Sequence, residues 1–174
     1  VSDSQWALTF EVNVTANHLL CSEASTLFKL QSLPASIVLT SSANAVVAKR
    51  GSEAYDVSKA ALSHLIRELA IGLAPLVRVN GISPATVVAG STMFPRDRVA
   101  ASLAKYGIPF SGSATDDELR ELLSEFYSRR TLTRRSIHPR DCAHAVLFIG
   151  GPMAACTTGH LLPVDGGLPD AFLR

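Results

Sequence analysis

A buried strand followed by a helix constrains the fold of this chain more than any other stretch. Residues 36–42 begin as SIVLT, an apolar and β-branched run without alternation, which is typical of a strand buried on both faces of a parallel sheet. From Glu53 onward, alanine and leucine recur at helical spacing, so a helix is predicted after a short polar loop. The sequence therefore predicts an α/β fold with a parallel sheet.

Two reactive side chains lie in the first turns of the predicted helix. Tyr55 and Lys59 are four residues apart, so they project from the same helix face. A nearby ammonium favours the phenolate form of a tyrosine, which suits a general acid/base that works near neutral pH. A Tyr-x-x-x-Lys pair alone is common by chance and can be a solvated surface pair. Here Ser42 ends the predicted strand shortly before it.

The whole segment resembles the active site of the short-chain dehydrogenase/reductase family. In that family a strand ends in Ser-Ser and a loop leads to Tyr-x-x-x-Lys on the next helix, and five residues match this pattern: Ser41, Ser42, Tyr55, Ser58 and Lys59. The resemblance implies an NAD(P)-dependent oxidoreductase. It implies that Tyr55 exchanges a proton with the substrate, that Lys59 assists it and binds the nicotinamide ribose, and that Ser42 orients the substrate oxygen.

A long helix is predicted over residues 2–33, with Ser2 or Asp3 as its N-cap. Residues 12–17 are weak helix formers because β-branched side chains and asparagine disfavour helix interiors. Such a local conflict can mark a functional place. In the resembled family an asparagine at this point holds a water that connects to the lysine, and Asn13 matches it. The alternative is a polar residue tolerated on a half-exposed face.

A second strand is predicted over residues 77–83, ending before Pro84. The resembled family has Asn-x-x-x-Pro-Gly here, followed by residues that line the nicotinamide. The resemblance therefore assigns cofactor contacts to Pro84 and Val87, besides Tyr55 and Lys59. Ala85 replaces the family's glycine, which adds a methyl group where the backbone approaches the cofactor. Thr92 is at best a displaced substitute for the family's threonine.

Residues 88–138 form a long excursion before the next core element. Helices are predicted over residues 96–106 and from a Thr115/Glu118 capping box onward. The resemblance implies a substrate lid, and an amphipathic hairpin that packs on a neighbour is a second, compatible interpretation. The segment ends in the chain's basic cluster, which is either a phosphate or carboxylate site or a set of solvated charges: Arg129, Arg130, Arg134 and Arg135.

The end of the chain matches the family's terminal strand, with Thr158-Gly159 before it and Val164-Asp-Gly-Gly at its end. A helix is predicted to open at Pro139 and to stop at Gly150. No glycine-rich phosphate-binding turn follows a strand anywhere. We therefore predict that residues 1–174 are the C-terminal half of a doubly wound parallel-sheet (Rossmann) domain. Its N-terminal nucleotide-binding half is expected outside this sequence, which begins with valine rather than methionine.

Composition excludes several other classes of protein. The formal net charge is +1 and no long basic run occurs, which argues against nucleic-acid binding. The three cysteines and five histidines lack paired ligand spacing, so no metal site is predicted. No apolar run reaches the length of about 18 residues that a membrane span needs, and no signal peptide is apparent. We expect a soluble, cytoplasmic protein without a membrane or nucleic-acid partner.

A narrower resemblance concerns residues 92–98, 129–135 and 163–174. They are similar to the C-terminal dehydrogenase domain of bacterial bifunctional rhamnulose-1-phosphate aldolase/short-chain dehydrogenases. This implies rhamnose metabolism, oxidation of lactaldehyde to lactate with NAD, and an N-terminal half or aldolase domain in the parent chain. NADP stays open because the residues that select the cofactor are absent.

Alternatives to this activity are a sugar or polyol dehydrogenase of the same family and a non-catalytic fragment or oligomerisation module without cofactor binding. The two long helices, from Ser2 and from Glu53, resemble those that form a four-helix dimer interface in the family. A homodimer or homotetramer is therefore expected.

Overall fold

The computed structural model describes residues 1–172, and a parallel sheet lies at its centre. Within these residues the sheet has the order β1-β2-β3, with strands β1 (Ala35–Thr40), β2 (Val77–Pro84) and β3 (Leu161–Val164). Both pairings are parallel. This confirms the α/β class. β1 ends two residues earlier than predicted, although the Ser41 N–H still donates to the Ile82 carbonyl at 2.9 Å.

The sequence predicted a single long helix over residues 2–33. The N-terminal helix is instead interrupted. It consists of α1 (Asp3–Phe10), a π-helical segment (Glu11–Thr15) and α2 (Ala16–Gln31). Ser2 is the N-cap and forms a capping box with Gln5. The π-helical segment begins one residue before the stretch of weak helix formers. Departure from α-helical geometry costs the least free energy where the residues have a low preference for the α-helix.

Helices cover both faces of the sheet. On one face α2 and α3 (Glu53–Leu73) pack on the strands through a core that includes Cys21, Ile66 and Val79. On the other face α6 (Pro139–Gly150) contributes Ile149 beside Ile82. The odd and even residues of β2 thus face opposite layers, with Val79 in one core and Ile82 in the other.

The 88–138 excursion has a core of its own. Helices α4 (Arg96–Lys105) and α5 (Asp116–Ser128) pack together, and both capping-box hydrogen bonds between Thr115 and Glu118 are present. Five residues are fully shielded from solvent in this cluster: Val88, Val99, Leu103, Leu119 and Leu123. The excursion is therefore a packed helical unit on the sheet's carboxyl side, and its role as a lid stays a prediction.

Two surfaces of the described chain are apolar and exposed. The outer edge of β1 pairs with no strand among residues 1–172. Along α1, the π-helical segment and α2, several large side chains are more than half exposed: Leu8, Val12, Leu19, Leu20, Leu27 and Leu30. None of the helices in residues 1–172 combines the length and the hydropathy that a bilayer span requires.

Candidate active site

The sequence-predicted residues gather where β1 ends and α3 begins. Parallel strands all end at one edge of the sheet, and the loops there form the usual ligand-binding crevice of such folds. Ser42 follows β1, Tyr55 and Lys59 lie in the first two turns of α3, and the π-helical segment that carries Asn13 packs against α3.

Tyr55 and Lys59 are adjacent, as their spacing predicts. The Lys59 Nζ lies 5.7 Å from the centroid of the Tyr55 ring and donates to the Thr40 carbonyl at 3.0 Å. Burial lowers the pKa of Lys59 below its ordinary value. Tyr55 is 40% exposed, and its hydroxyl has no hydrogen-bond partner among residues 1–172. The phenol is thus available to a bound molecule.

The paired serines have different environments. Ser42 is buried, and its Oγ accepts from the Asn44 backbone N–H at 3.1 Å, which leaves its own proton for another acceptor. The Ser41 Oγ donates to the Lys59 carbonyl at 3.1 Å and lies 2.7 Å from the Ser63 Oγ. Ser41 therefore joins the end of β1 to the helix that carries Tyr55 and Lys59.

Asn13 reaches the same helix from the π-helical segment. Its Nδ2 donates to the Ser58 Oγ at 3.0 Å, and that hydroxyl donates to the Tyr55 carbonyl at 2.8 Å. The Asn13 carbonyl accepts from the Asn17 Nδ2 at 3.0 Å. π-helical segments often occur at functional sites because they redirect individual groups. A water held by Asn13 stays a prediction.

Pro84 and Val87 lie at the end of the neighbouring strand. Pro84 is the last residue of β2 and pairs with Val164, and the Ala85 N–H donates to the Val164 carbonyl at 3.1 Å. Val87 is half-buried in the following loop. Both are at the carboxyl edge of the sheet, as expected for residues near a nicotinamide, and that contact stays a prediction.

Sequence reasoning missed a carboxylate that organises the loop before α3. Asp56 is buried and accepts from the Asn44 Nδ2 at 2.6 Å, from the Ser52 Oγ at 2.9 Å and from the Lys49 N–H at 2.8 Å. These bonds fold the 43–52 loop onto the start of α3. The signal was weak, because an acidic residue in the first helical turn is ordinary helix chemistry.

A second missed group connects β2 to the segment before β3. The Arg78 guanidinium donates to four carbonyls, those of Ile149, Gly150, Gly151 and Thr157, at 3.0 to 3.1 Å. Asn80, fully buried, donates to the Thr157 carbonyl at 2.8 Å. The available signal in the sequence was the presence of Arg78 and Asn80 among the apolar residues of a predicted buried strand.

A small cavity of about 40 Å³ lies beside these loops. Its walls come from the loop after β1, including Asn44, the loop after β2, including Thr86, and helix α5 with the segment that follows it. Only some arginines of the predicted basic cluster line this cavity. Arg130 and Arg135 line the cavity, whereas Arg129 pairs with Glu125 on the surface at 2.8 Å.

Comparison with known proteins decides the family. A family model described as enoyl-(acyl carrier protein) reductase matches residues 1–123, a stretch that contains the serine, tyrosine and lysine pattern. The chain belongs to the short-chain dehydrogenase/reductase family. Within residues 1–172, no group of three or more histidine, cysteine, aspartate or glutamate side chains is arranged to hold a metal ion.

Relatives in this family include proteins of very different length. The uncharacterized oxidoreductase YuxG of Bacillus subtilis strain 168 is 33% identical over 171 residues, which are 98% of this chain and 23% of YuxG. L-rhamnose 1-dehydrogenase (NAD(P)(+)) of Sphingomonas sp. strain SKA58 is 30% identical over 161 residues, covering 92% of this chain and 55% of that enzyme.

Among solved structures, the ligand-free aldohexose dehydrogenase of Thermoplasma acidophilum is similar with a TM-score of 0.78 and 27% sequence identity. The match covers 97% of this chain and 61% of that one. The chain therefore spans less than two thirds of the length of these relatives, and it corresponds to a part of the short-chain dehydrogenase/reductase fold.

Proposed function

We propose that the protein containing this chain is an NAD(P)-dependent oxidoreductase that acts on a small alcohol or aldehyde. The observation that carries the proposal is the Tyr55–Lys59 pair beside Ser42, connected to Asn13 through Ser58. A non-catalytic oligomerisation module would have no need to keep a free phenol beside a lysine and a serine at the ligand-binding edge of the sheet.

Each residue has a proposed task. Tyr55 takes the proton from the substrate hydroxyl during oxidation and returns it during reduction. Lys59 stabilises the phenolate by its charge, and Ser42 donates its free proton to the substrate oxygen. Asn13 positions the catalytic helix through Ser58 and anchors a water that relays protons towards Lys59.

The donor groups fit a nicotinamide nucleotide. Lys59 uses one of its three N–H donors on Thr40, so two are free for the ribose hydroxyls, and the Tyr55 hydroxyl is unpaired among residues 1–172. Pro84 and Val87 would line the nicotinamide. When bound, the nicotinamide accepts or supplies the hydride. NAD is proposed, and NADP is compatible because a related enzyme is named for both.

Lactaldehyde, oxidised to lactate, is the first candidate substrate, within rhamnose metabolism. For an aldehyde the hydrated form is the reactant, and Tyr55 takes a proton from one of its two hydroxyls. The match to YuxG supports this proposal indirectly: the shared stretch is under a quarter of YuxG, so a relative with this half-domain has room for further domains. An N-terminal half or aldolase domain is proposed for the parent protein.

A sugar or polyol is the second candidate substrate. The 30% identity to L-rhamnose 1-dehydrogenase and the structural likeness to aldohexose dehydrogenase favour it. Initial rates of the full-length protein on L-lactaldehyde, L-rhamnose and sorbitol, each with NAD and with NADP, separate these candidates.

The excursion over residues 88–138 is proposed to close over the substrate as a lid. Its helices pack on each other around a separate core, so they can move as one body relative to the sheet. The exposed apolar face of the N-terminal helices is proposed as the interface of a homodimer or homotetramer.

The decisive experiment replaces Tyr55 by phenylalanine in the full-length protein. Loss of the phenolic proton should lower kcat by about 10²- to 10⁴-fold while the circular dichroism spectrum is unchanged. Tyr106→Phe is the control for loss of a phenolic hydroxyl outside the Ser42, Tyr55 and Lys59 group. It removes a 3.3 Å contact with the Tyr127 hydroxyl and should lose far less turnover than Tyr55→Phe. A Tyr55→Phe protein with normal turnover would overturn the proposed function.

A further inference from the structure

Three cationic side chains converge on the 40 Å³ cavity. Lys49 comes from the loop after β1, and Arg130 and Arg135 come from the segment after α5. Lys49 is distant in sequence from the two arginines, so the fold brings charges from two separate segments together. Like charges repel one another, and an anion bound among them would relieve that repulsion.

The structure provides little negative charge to neutralise them. Arg130 lies 3.7 Å from Asp170, and both side chains are largely exposed, which makes the pair weak. Lys49 and Arg135 have no ion-pair partner in the part of the chain that the structure describes. Two of the three charges are therefore available to a ligand.

A buried hydroxyl gives an independent indication. Ser124, on α5, lines the same cavity and is 2% exposed. Its Oγ has no hydrogen-bond partner within residues 1–172. A buried hydroxyl without a partner is costly, and most native structures avoid one. A ligand oxygen in the cavity would satisfy it.

We propose that this cavity is an anion subsite that holds a carboxylate or phosphate group at the non-reacting end of the substrate. Arg130, Arg135 and Lys49 supply positive charge at the cavity, and the Ser124 hydroxyl donates a hydrogen bond to an anion oxygen. The inference rests on the proposed function, because it assigns one end of the reacting molecule to this cavity and the other end to Ser42 and Tyr55.

Position and size agree with this assignment. The cavity is bounded by Ala43 and Asn44, which follow Ser42, and by Ala85 and Thr86, which follow Pro84. A single water needs roughly 10–15 Å³ of such space, so the cavity has room for one compact group rather than for a whole sugar. Guanidinium groups match the planar and multidentate geometry of carboxylate and phosphate oxygens.

Two sources of the anion are compatible with this chemistry: the carboxylate of a hydroxy acid whose hydroxyl group reacts at Tyr55, probed here with lactate, and the phosphate of a phosphorylated sugar. Calorimetric titration of the full-length protein with sodium L-lactate and with inorganic phosphate distinguishes them. Lactamide, the neutral counterpart of lactate, serves as the uncharged probe. Tight binding of lactate alone assigns a carboxylate, and tight binding of phosphate alone assigns a phosphorylated substrate.

Three variants locate the binding site. Arg135→Gln and Ser124→Ala should each weaken anion binding, the arginine change by about tenfold or more because a charge-assisted hydrogen bond is lost. Arg130→Gln is a second charge variant in case Arg135→Gln does not fold. Arg129→Gln is the matched control, since Arg129 lies outside the cavity and should leave the affinity unchanged.

Several outcomes would contradict the inference. Failure of both anions to bind, equal binding of lactamide, or equal weakening by Arg129→Gln would contradict an anion subsite. Turnover without anion binding would contradict this inference alone. Anion binding that depends on Arg135, in a protein without any NAD(P)-dependent turnover, would contradict the proposed function alone.

Discussion

The hydrogen bond from Asn13 to Ser58 joins two helices at the residue that precedes Lys59. A net contribution of about 0.5–1.5 kcal/mol is usual for such a bond. We therefore expect Asn13→Ala and Ser58→Ala to show a coupling of about 1 kcal/mol in a double-mutant cycle of urea unfolding.

Turnover should report the same coupling if Asn13 positions the catalytic helix. The Asn13→Ala variant should lower kcat more than it raises KM, and adding Ser58→Ala should cause little further loss. Additive effects of the two substitutions, on both stability and kcat, would show that the bond has no positioning role.

The pKa of Lys59 predicts a pH dependence of stability. Burial lowers that pKa in the folded protein, whereas the unfolded chain keeps a value of about 10.5. Between the folded and unfolded pKa values the unfolded state binds more protons, so the contribution of Lys59 to the free energy of unfolding rises with pH. Below that window, burial of the charged ammonium costs stability. Above it, the cost has disappeared.

Comparison with Lys59→Met isolates this effect. In urea titrations, the free energy of unfolding of the wild type minus that of the variant should increase as the pH rises towards 10.5, the ordinary pKa of lysine. Exposed Lys29→Met controls for the loss of a lysine charge. A constant or falling difference for Lys59→Met would contradict the direction of the pKa change.

At the residue scale, the sequence predicted the proximity of the proposed reacting groups better than it predicted the residues that support them. Tyr55, Lys59 and Ser42 follow from short-range spacing, since four residues on a helix and the end of a strand fix relative positions. Asp56 and Arg78 act through bonds to distant backbone, which no local pattern specifies. Ser124 is a polar position on an amphipathic helix, and only the packing of the 88–138 excursion buries its hydroxyl.

At the element scale, Arg78 joins β2 to the α6–β3 connection through four carbonyls. Arg78→Met removes the donors to the Ile149 and Gly150 carbonyls, whereas the Thr157 carbonyl keeps Asn80 and the Gly151 carbonyl keeps the Ala154 N–H. The loss should lower the free energy of unfolding by about 1–3 kcal/mol. Urea unfolding measures the loss. Arg67→Met, on the exposed face of α3, is the control and should change stability by under about 0.5 kcal/mol. Equal losses in the two variants would show that the four bonds contribute nothing specific.

Element types were predictable because their periodicity and caps are local. The Thr115/Glu118 capping box and the start of α6 at Pro139 fall where the sequence predicts them. The π-helical segment was visible only as a stretch of weak helix formers. Its backbone geometry depends on packing against α3, as the eight-residue α1 and the longer α2 must both contact the same neighbour.

At the scale of the whole molecule, we propose different binding partners for the two exposed apolar surfaces. The free edge of β1 continues the parallel sheet, so the proposed N-terminal half would pair there. The exposed apolar face of the N-terminal helices lies on the outer side of a layer that packs on the sheet. A second copy of the protein would cover this face. Leu147 on α6 is 71% exposed in the opposite layer, which provides a comparison site.

A charge introduced on either helical layer shows which layer forms the interface between copies of the protein. Leu19 is 56% exposed on α2, and Leu19→Glu places a charge in the proposed self-association surface. The full-length variant should have a smaller mass by multi-angle light scattering than the wild type, because a buried unpaired charge disfavours the interface. Leu147→Glu changes the same residue type on the other layer and should keep the wild-type mass. If Leu147→Glu alone dissociates the assembly, the interface belongs to the α6 layer, and the interface proposed from the N-terminal helices is wrong.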